Sequence, residues 1–198
     1  KESEAPLFLE TKLVYAHVLI VDDDLARAKD LCEEVLEKDH KNGQAYIWLA
    51  EIARLQKNYK LAKLLLAKAK LFLPQSAQIP LIQAKIEWEK DNLSNAVKYY
   101  QKVVEIEPKN IEARMFLAKV FYENRAYGAS ESHLAEVLHS FPKHLFARNL
   151  LSQLYIKTQR YEPAEKLLVT LSEETDKDSS LYFNLGILYL RYLNQVEK

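Results

Sequence analysis

The chain has 198 residues, 48% of them hydrophobic and 28% charged, and its 28 basic side chains balance 28 acidic ones. That composition excludes a disordered chain, and the neutral balance argues against a general nucleic-acid or membrane-surface binder, which would be basic. Three glycines and six prolines leave too little turn material for an all-β fold, so the class is all-α.

In chain order, a first helix is expected over 6–21, carrying Leu7, Leu9, Leu13, Val14, Val18, Ile20 and Val21 with Tyr15 and Ala16 among them. Asp22-Asp23-Asp24 follows directly before a second helix, where such residues cap free N–H groups. That second helix presents Leu25, Ala28, Cys32 and Val35, and its unit closes at His40. Cys32 is the only cysteine, so no internal disulfide forms, and its place on an apolar stripe reads as a small buried residue rather than a reactive thiol.

The clearest stretch comes next. A helix over 43–56 places Tyr46, Leu49, Ala50 and Ala53 on one face, and a helix over 59–73 answers with Tyr59, Ala62, Leu66 and Ala69. Pro74 stops the second helix, because proline lacks an N–H and clashes with the preceding turn. Alanines at 50 and 62 let two antiparallel helices approach closely. The plan then recurs every 34 residues, with Ala84, Ala96 and Pro108, then Leu117, Ala118, Ser130 and Pro142, then Leu151, Ser152 and Ala164, where Asp176 replaces the closing proline. A last helix over 179–194 repeats the first half alone, with Tyr182, Leu185, Gly186 and Tyr189. A repeat of this length with two helices per unit specifies a solenoid of helical hairpins.

These residues resemble the tetratricopeptide repeat family over nearly the whole chain. The resemblance implies a single right-handed superhelical solenoid of antiparallel helix hairpins, with repeats at 9–42, 43–76, 77–110, 111–144 and 145–178 and a terminal helix at 179–194. It further implies that first helices line a concave groove that takes an extended peptide or helix of a protein partner. Projected onto this chain, the groove holds Ile47, Glu51, Arg54 and Leu55, then Leu81, Lys85, Trp88 and Glu89, then Met115, Lys119, Tyr122 and Glu123, then Phe146, Asn149, Gln153, Ile156 and Lys157. Aromatic and long apolar groups there would supply the large contacts of an interface, and Lys85 and Lys119 would meet acidic groups. Trp88 and Tyr122 face either a ligand or the neighbouring repeats. The carboxylate clamp of the chaperone-docking branch is absent, because its positions hold Ile47 with Glu51 and Leu81 with Lys85.

Other chemistry finds little support. His17, His40, His133, His139 and His144 are scattered without metal-ligand spacing, no glycine-rich phosphate loop or nucleophile motif is present, and no cofactor or catalytic group is expected. RNA binding by a related helical-repeat class is a lesser alternative, disfavoured by the period and the neutral charge. Charge is uneven locally: residues 1–42 hold 6 basic and 11 acidic side chains, and residues 43–76 hold 6 and 1. Those two stretches either attract each other or dock a charged partner. The lysine run Lys57, Lys60, Lys63, Lys68 and Lys70 reads as a solvated outer face. The terminal helix is apolar on several sides at Leu181, Phe183, Ile187 and Leu190, which marks a contact surface. Because the chain begins at Lys1 without methionine, the expectation is a piece of a longer protein, continued past its ends or self-associating there. A structural spacer or oligomerisation segment is the rival to groove recognition.

Overall fold

The computed structural model describes residues 6–174 and 179–196, with side-chain surroundings for 8–173 and 182–191. Eleven helices account for the described elements. The chain divides into two compact units, residues 1–108 and 109–198. In the first unit α1 (Pro6–Val21) pairs with α2 (Leu25–Lys38), α3 (Gly43–Leu55) with α4 (Tyr59–Phe72), and α5 (Gln78–Glu89) with α6 (Leu93–Ile106). In the second, α7 (Ile111–Glu123) pairs with α8 (Tyr127–Ser140) and α9 (Leu145–Lys157) with α10 (Tyr161–Glu174), and α11 (Ser179–Val196) packs on both α9 and α10.

Each hairpin closes on small residues. Ala16, Ala50, Ala84, Ala118 and Ser152 on the first helices, and Ala28, Ala62, Ala96, Ser130 and Ala164 on the second, are all fully buried. The two serines show how a polar group is accommodated there. Ser130 Oγ donates to the Ala118 carbonyl at 2.7 Å and Ser152 Oγ to that of Asn149 at 2.7 Å, so neither hydroxyl is left unpaired in the core. Behind them lie larger apolar groups, among them Leu66, Leu134 and Leu168, each with no exposure. Truncating one of these to alanine removes about 2–5 kcal/mol.

The turn inside each hairpin is the same in five places. Asp23, Lys57, Asp91, Arg125 and Gln159 all adopt left-handed backbone, with φ between 55° and 62°. The following residue turns its N–H back onto the first helix, as Asn58 does onto the Ala53 carbonyl at 2.8 Å and Ala126 onto that of Phe121 at 2.8 Å. That same residue then opens the second helix. Asp24, Asn58 and Asn92 accept the N–H three residues on, whereas Ala126 has no side chain to do so. Of the three consecutive aspartates, therefore, Asp24 is the cap and Asp23 the left-handed residue.

Gly43 has a separate purpose. A Cβ there would come within 2.6 Å of Leu73 Cγ, so the start of α3 can lie against the end of α4 only without a side chain.

Candidate interaction surface

Within each unit the first helices pack side by side, α1 on α3 and α3 on α5 in the first, α7 on α9 and α9 on α11 in the second. These helices carry the residues projected from sequence, and the two units use them differently.

In the first unit Ile47 has no exposure. It is sealed into the core with Ile79, Ile82 and Ile86 of α5, so its assignment to a ligand surface is corrected. Arg54 is also corrected. It is buried, with Nε and Nη2 each donating to Glu51 at 2.8 Å and Nη1 donating to Glu89. Burial acts to lower its pKa, but the hydrogen bonds and charges of Glu51 and Glu89 outweigh it and hold the guanidinium above its ordinary value. This cluster ties α3 to α5 rather than offering a free cation. Leu81 and Lys85 are half-buried, and Trp88 is 49% exposed.

A recess of this unit lies elsewhere, at the α1–α3 side. It measures about 640 Å³ and is lined by Val14, His17, Gln44, Trp48, Leu73 and Gln78 among others. His17 stacks on Trp48 with ring centroids 4.3 Å apart and planes 7° from parallel, and Gln44 donates to Gln78 at 2.9 Å. Gln44, Trp48, Leu73 and Gln78 were not singled out from sequence, and Val14 and His17 were read only as part of an apolar first helix and as a histidine without metal-ligand spacing. The available signal was the glutamine that recurs one repeat apart at Gln44 and Gln78, one turn ahead of Ile47 and Leu81.

In the second unit the projected residues converge. Met115, Lys119, Tyr122, Glu123, Phe146, Asn149 and Gln153 line one recess of about 480 Å³, joined by Phe116 and Leu150. A second recess of about 250 Å³ shares Tyr122 and Gln153 with it and adds Ile156, Lys157, Phe183, Asn184, Ile187 and Arg191. Ile156 is only 4% exposed and serves as floor. Phe146 stands 72% exposed and Phe183 68%, more than any other phenylalanine of the chain. Between the recesses lies an amide cluster. Asn149 Oδ1 accepts from Asn184 Nδ2 at 2.8 Å and from Gln153 Nε2 at 3.4 Å. Tyr122 tilts against Tyr127 at 5.9 Å, and burial holds its phenol above the ordinary value, so it remains a hydrogen-bond donor. Lys119 pairs only loosely with Glu123, at 3.9 Å.

Of the terminal contacts expected on α11, Phe183 and Leu190 are exposed, Ile187 is half-buried in the second recess, and the Leu181 side chain lies outside the described residues, as does Asp176. Cys32 is fully buried, and burial, with the charge of Glu33, pushes its thiol up to about 12. The described residues contain no cluster able to hold a metal and no helix long and apolar enough to cross a membrane.

Comparison with known proteins agrees with the architecture. A tetratricopeptide repeat family model matches residues 19–86, and a model described as anaphase-promoting complex, cyclosome, subunit 3 matches residues 89–171. No curated protein sequence matches the chain. Among solved structures, PilF of Pseudomonas aeruginosa superposes with a TM-score of 0.76 at 14% identity, over 94% of this chain and 85% of that one. PilW, a type IV pilus biogenesis factor, gives 0.67 at 19% identity over 98% and 94%. YrrB, a TPR protein with an unusual peptide-binding site, gives 0.63 at 19% over 88% and 90%. With the 34-residue hairpin plan, its buried small residues and these matches in hand, the chain belongs to the tetratricopeptide repeat family.

Proposed function

We propose that the chain is a protein-interaction scaffold whose second unit captures a peptide or helix across the two joined recesses of α7, α9 and α11. Tetratricopeptide repeats serve in general as protein-interaction scaffolds, and the reading here is recognition without chemistry. The observation that carries it is the pair of exposed phenylalanines, Phe146 and Phe183, flanking contiguous recesses with an amide cluster between them. Aromatic anchors of this kind dominate interface energies, and amide groups at the centre suit a partner's backbone N–H and C=O. YrrB, itself a peptide binder, lends the reading support at the level of the fold.

The test is a pull-down from the source lysate with the wild-type chain and with Tyr122→Ala/Phe146→Ala. The double variant should lose its partner at least tenfold while unfolding at the wild-type temperature. Equal recovery by both chains would refute the groove. A second reading, a contact made by the terminal helix, draws on Phe183, Leu190 and Tyr182, which are 68%, 66% and 55% exposed. Phe183→Ser/Leu190→Ser should then abolish capture while the first double variant leaves it intact.

A further inference from the structure

The outer faces of the second helices in the first unit are not alike. Facing away from the core, α2 presents Asp30 and Glu37, α4 presents Leu64 and Leu71 at the same register, and α6 presents Lys98 and Glu105 there. The α6 pair shows that the repeat requires nothing apolar at these positions. Yet Leu64 is 58% exposed and Leu71 78%. Leu64 and Leu71 stand seven residues apart, two turns of the helix, and so share one outer face of α4.

Their surroundings state what would cover them. Lysines 60 and 68 flank the leucines on α4, a helix with no acidic residue among its fourteen. The acids of α2 lie next door, since Leu65 of α4 packs into the same core cluster as Ala28, Cys32 and Val35 of α2. Among the described residues, however, no ion pair joins residues 1–42 to residues 43–76. Lys12 turns to Glu34, Lys29 to Glu33, Arg27 to Asp24, Arg54 to Glu51 and Glu89, and Lys63 to Glu87. The opposite charges of the two stretches are therefore not spent on each other.

We propose that the outer faces of α2 and α4 form a two-fold interface between two copies of this chain. A two-fold axis running between the two helices sets the α4 of each copy on the α2 of the other. Each contact is then made twice, the self-complementarity a closed dimer requires. Lys60 and Lys68 of one copy meet Asp30 and Glu37 of the other, and Leu64 and Leu71 lie within the same contact. Each helix is roughly 21 Å long, so the patch is small and the dimer is weak and salt-sensitive. An anionic lipid surface fits less well, because the acids of α2 would lie against it beside the lysines.

The full chain in sedimentation velocity should dimerise with rising concentration at low salt. The association should weaken at least tenfold near 1 M salt, where the screening length falls to about 3 Å. Asp30→Lys/Glu37→Lys and Lys60→Glu/Lys68→Glu should each be monomeric, and mixing the two should restore a heterodimer. Leu64→Asp should also be monomeric, with circular dichroism showing all variants folded. A wild-type chain that stays monomeric at every concentration in low salt overturns the proposal, whether or not it then floats with anionic vesicles. So does a dimer that survives either charge reversal, or a mixture that fails to pair.

Discussion

At the residue scale the left-handed turns decide the most. Five non-glycine residues occupy a conformation that costs an L-residue roughly 1 kcal/mol and glycine almost nothing. Lys57→Gly and Arg125→Gly should each raise stability by about 0.5–1 kcal/mol in urea denaturation. Gly43→Ala should go the other way, by about 1–3 kcal/mol, since its new methyl meets Leu73 and Phe72. The missing cap at Ala126 makes a companion case. Ala126→Asn supplies the acceptor that Asn58 and Asn92 provide in their own repeats, and should add about 1 kcal/mol. Cys32 belongs to this scale too. It was legible as a core residue because its register matches Leu66, Tyr100, Leu134 and Leu168, all buried. Iodoacetamide should leave it unlabelled in the folded chain and label it on denaturation.

At the scale of elements, helices are tied together by charges whose protonation can be read out. Glu87 of α5 accepts from Lys63 of α4 at 2.7 Å and from Asn92 at 2.9 Å. The hydrogen bond from Lys63 holds its carboxyl below the ordinary value although burial opposes it. A carboxyl depressed in the folded state stabilises fully above the unfolded value of about 4.3, and this is lost as pH falls through the folded value. Glu131 of α8 is lowered likewise by Arg160, which grips it at 2.9 and 2.8 Å and lies over Tyr155 at 4.3 Å. Its partial exposure limits that pair to about 0.5–1 kcal/mol. His133 acts at higher pH. Burial, and then the charge of Arg114, lower its pKa, so the unfolded chain takes up the proton first and stability falls as pH drops below about 6.5. His133→Gln should flatten the stability curve below about pH 6.5 and leave the steeper loss below about pH 4.3, which Glu87→Gln should reduce. Urea midpoints measured across pH separate the two.

At the scale of the molecule, the hairpin plan could be read from sequence because it rests on volume. Residue pairs such as Ala50 with Ala62 and Ala118 with Ser130 leave no other way to pack. The surface was less readable because one register position has different fates. Ile47, Met115 and Asn149 are equivalent in sequence, yet the first is sealed under the isoleucines of α5 while the other two line a recess. Exposure there depends on the next helix's side chains, which a projection of one helix alone omits. The recess around His17 and Trp48 escaped for the same reason, since Val14 and its neighbours read only as an apolar terminal helix. The residue that ends one helix and starts the next has a wider consequence for how such a chain can change. Because Asn58 both closes α3 and caps α4, no spare residue separates them. One inserted amino acid would turn α4 by about 100° and swing Ala62 off Ala50. The connection after Pro74 carries no such double duty. A glycine inserted between Lys57 and Asn58 should abolish cooperative unfolding of the first unit, and the same insertion after Pro74 should cost far less. Evolution is thus left free to edit side chains but not the count of residues across the inner turn, and the constant interval of 34 between the five turns means that the outer connections between them have kept their length as well.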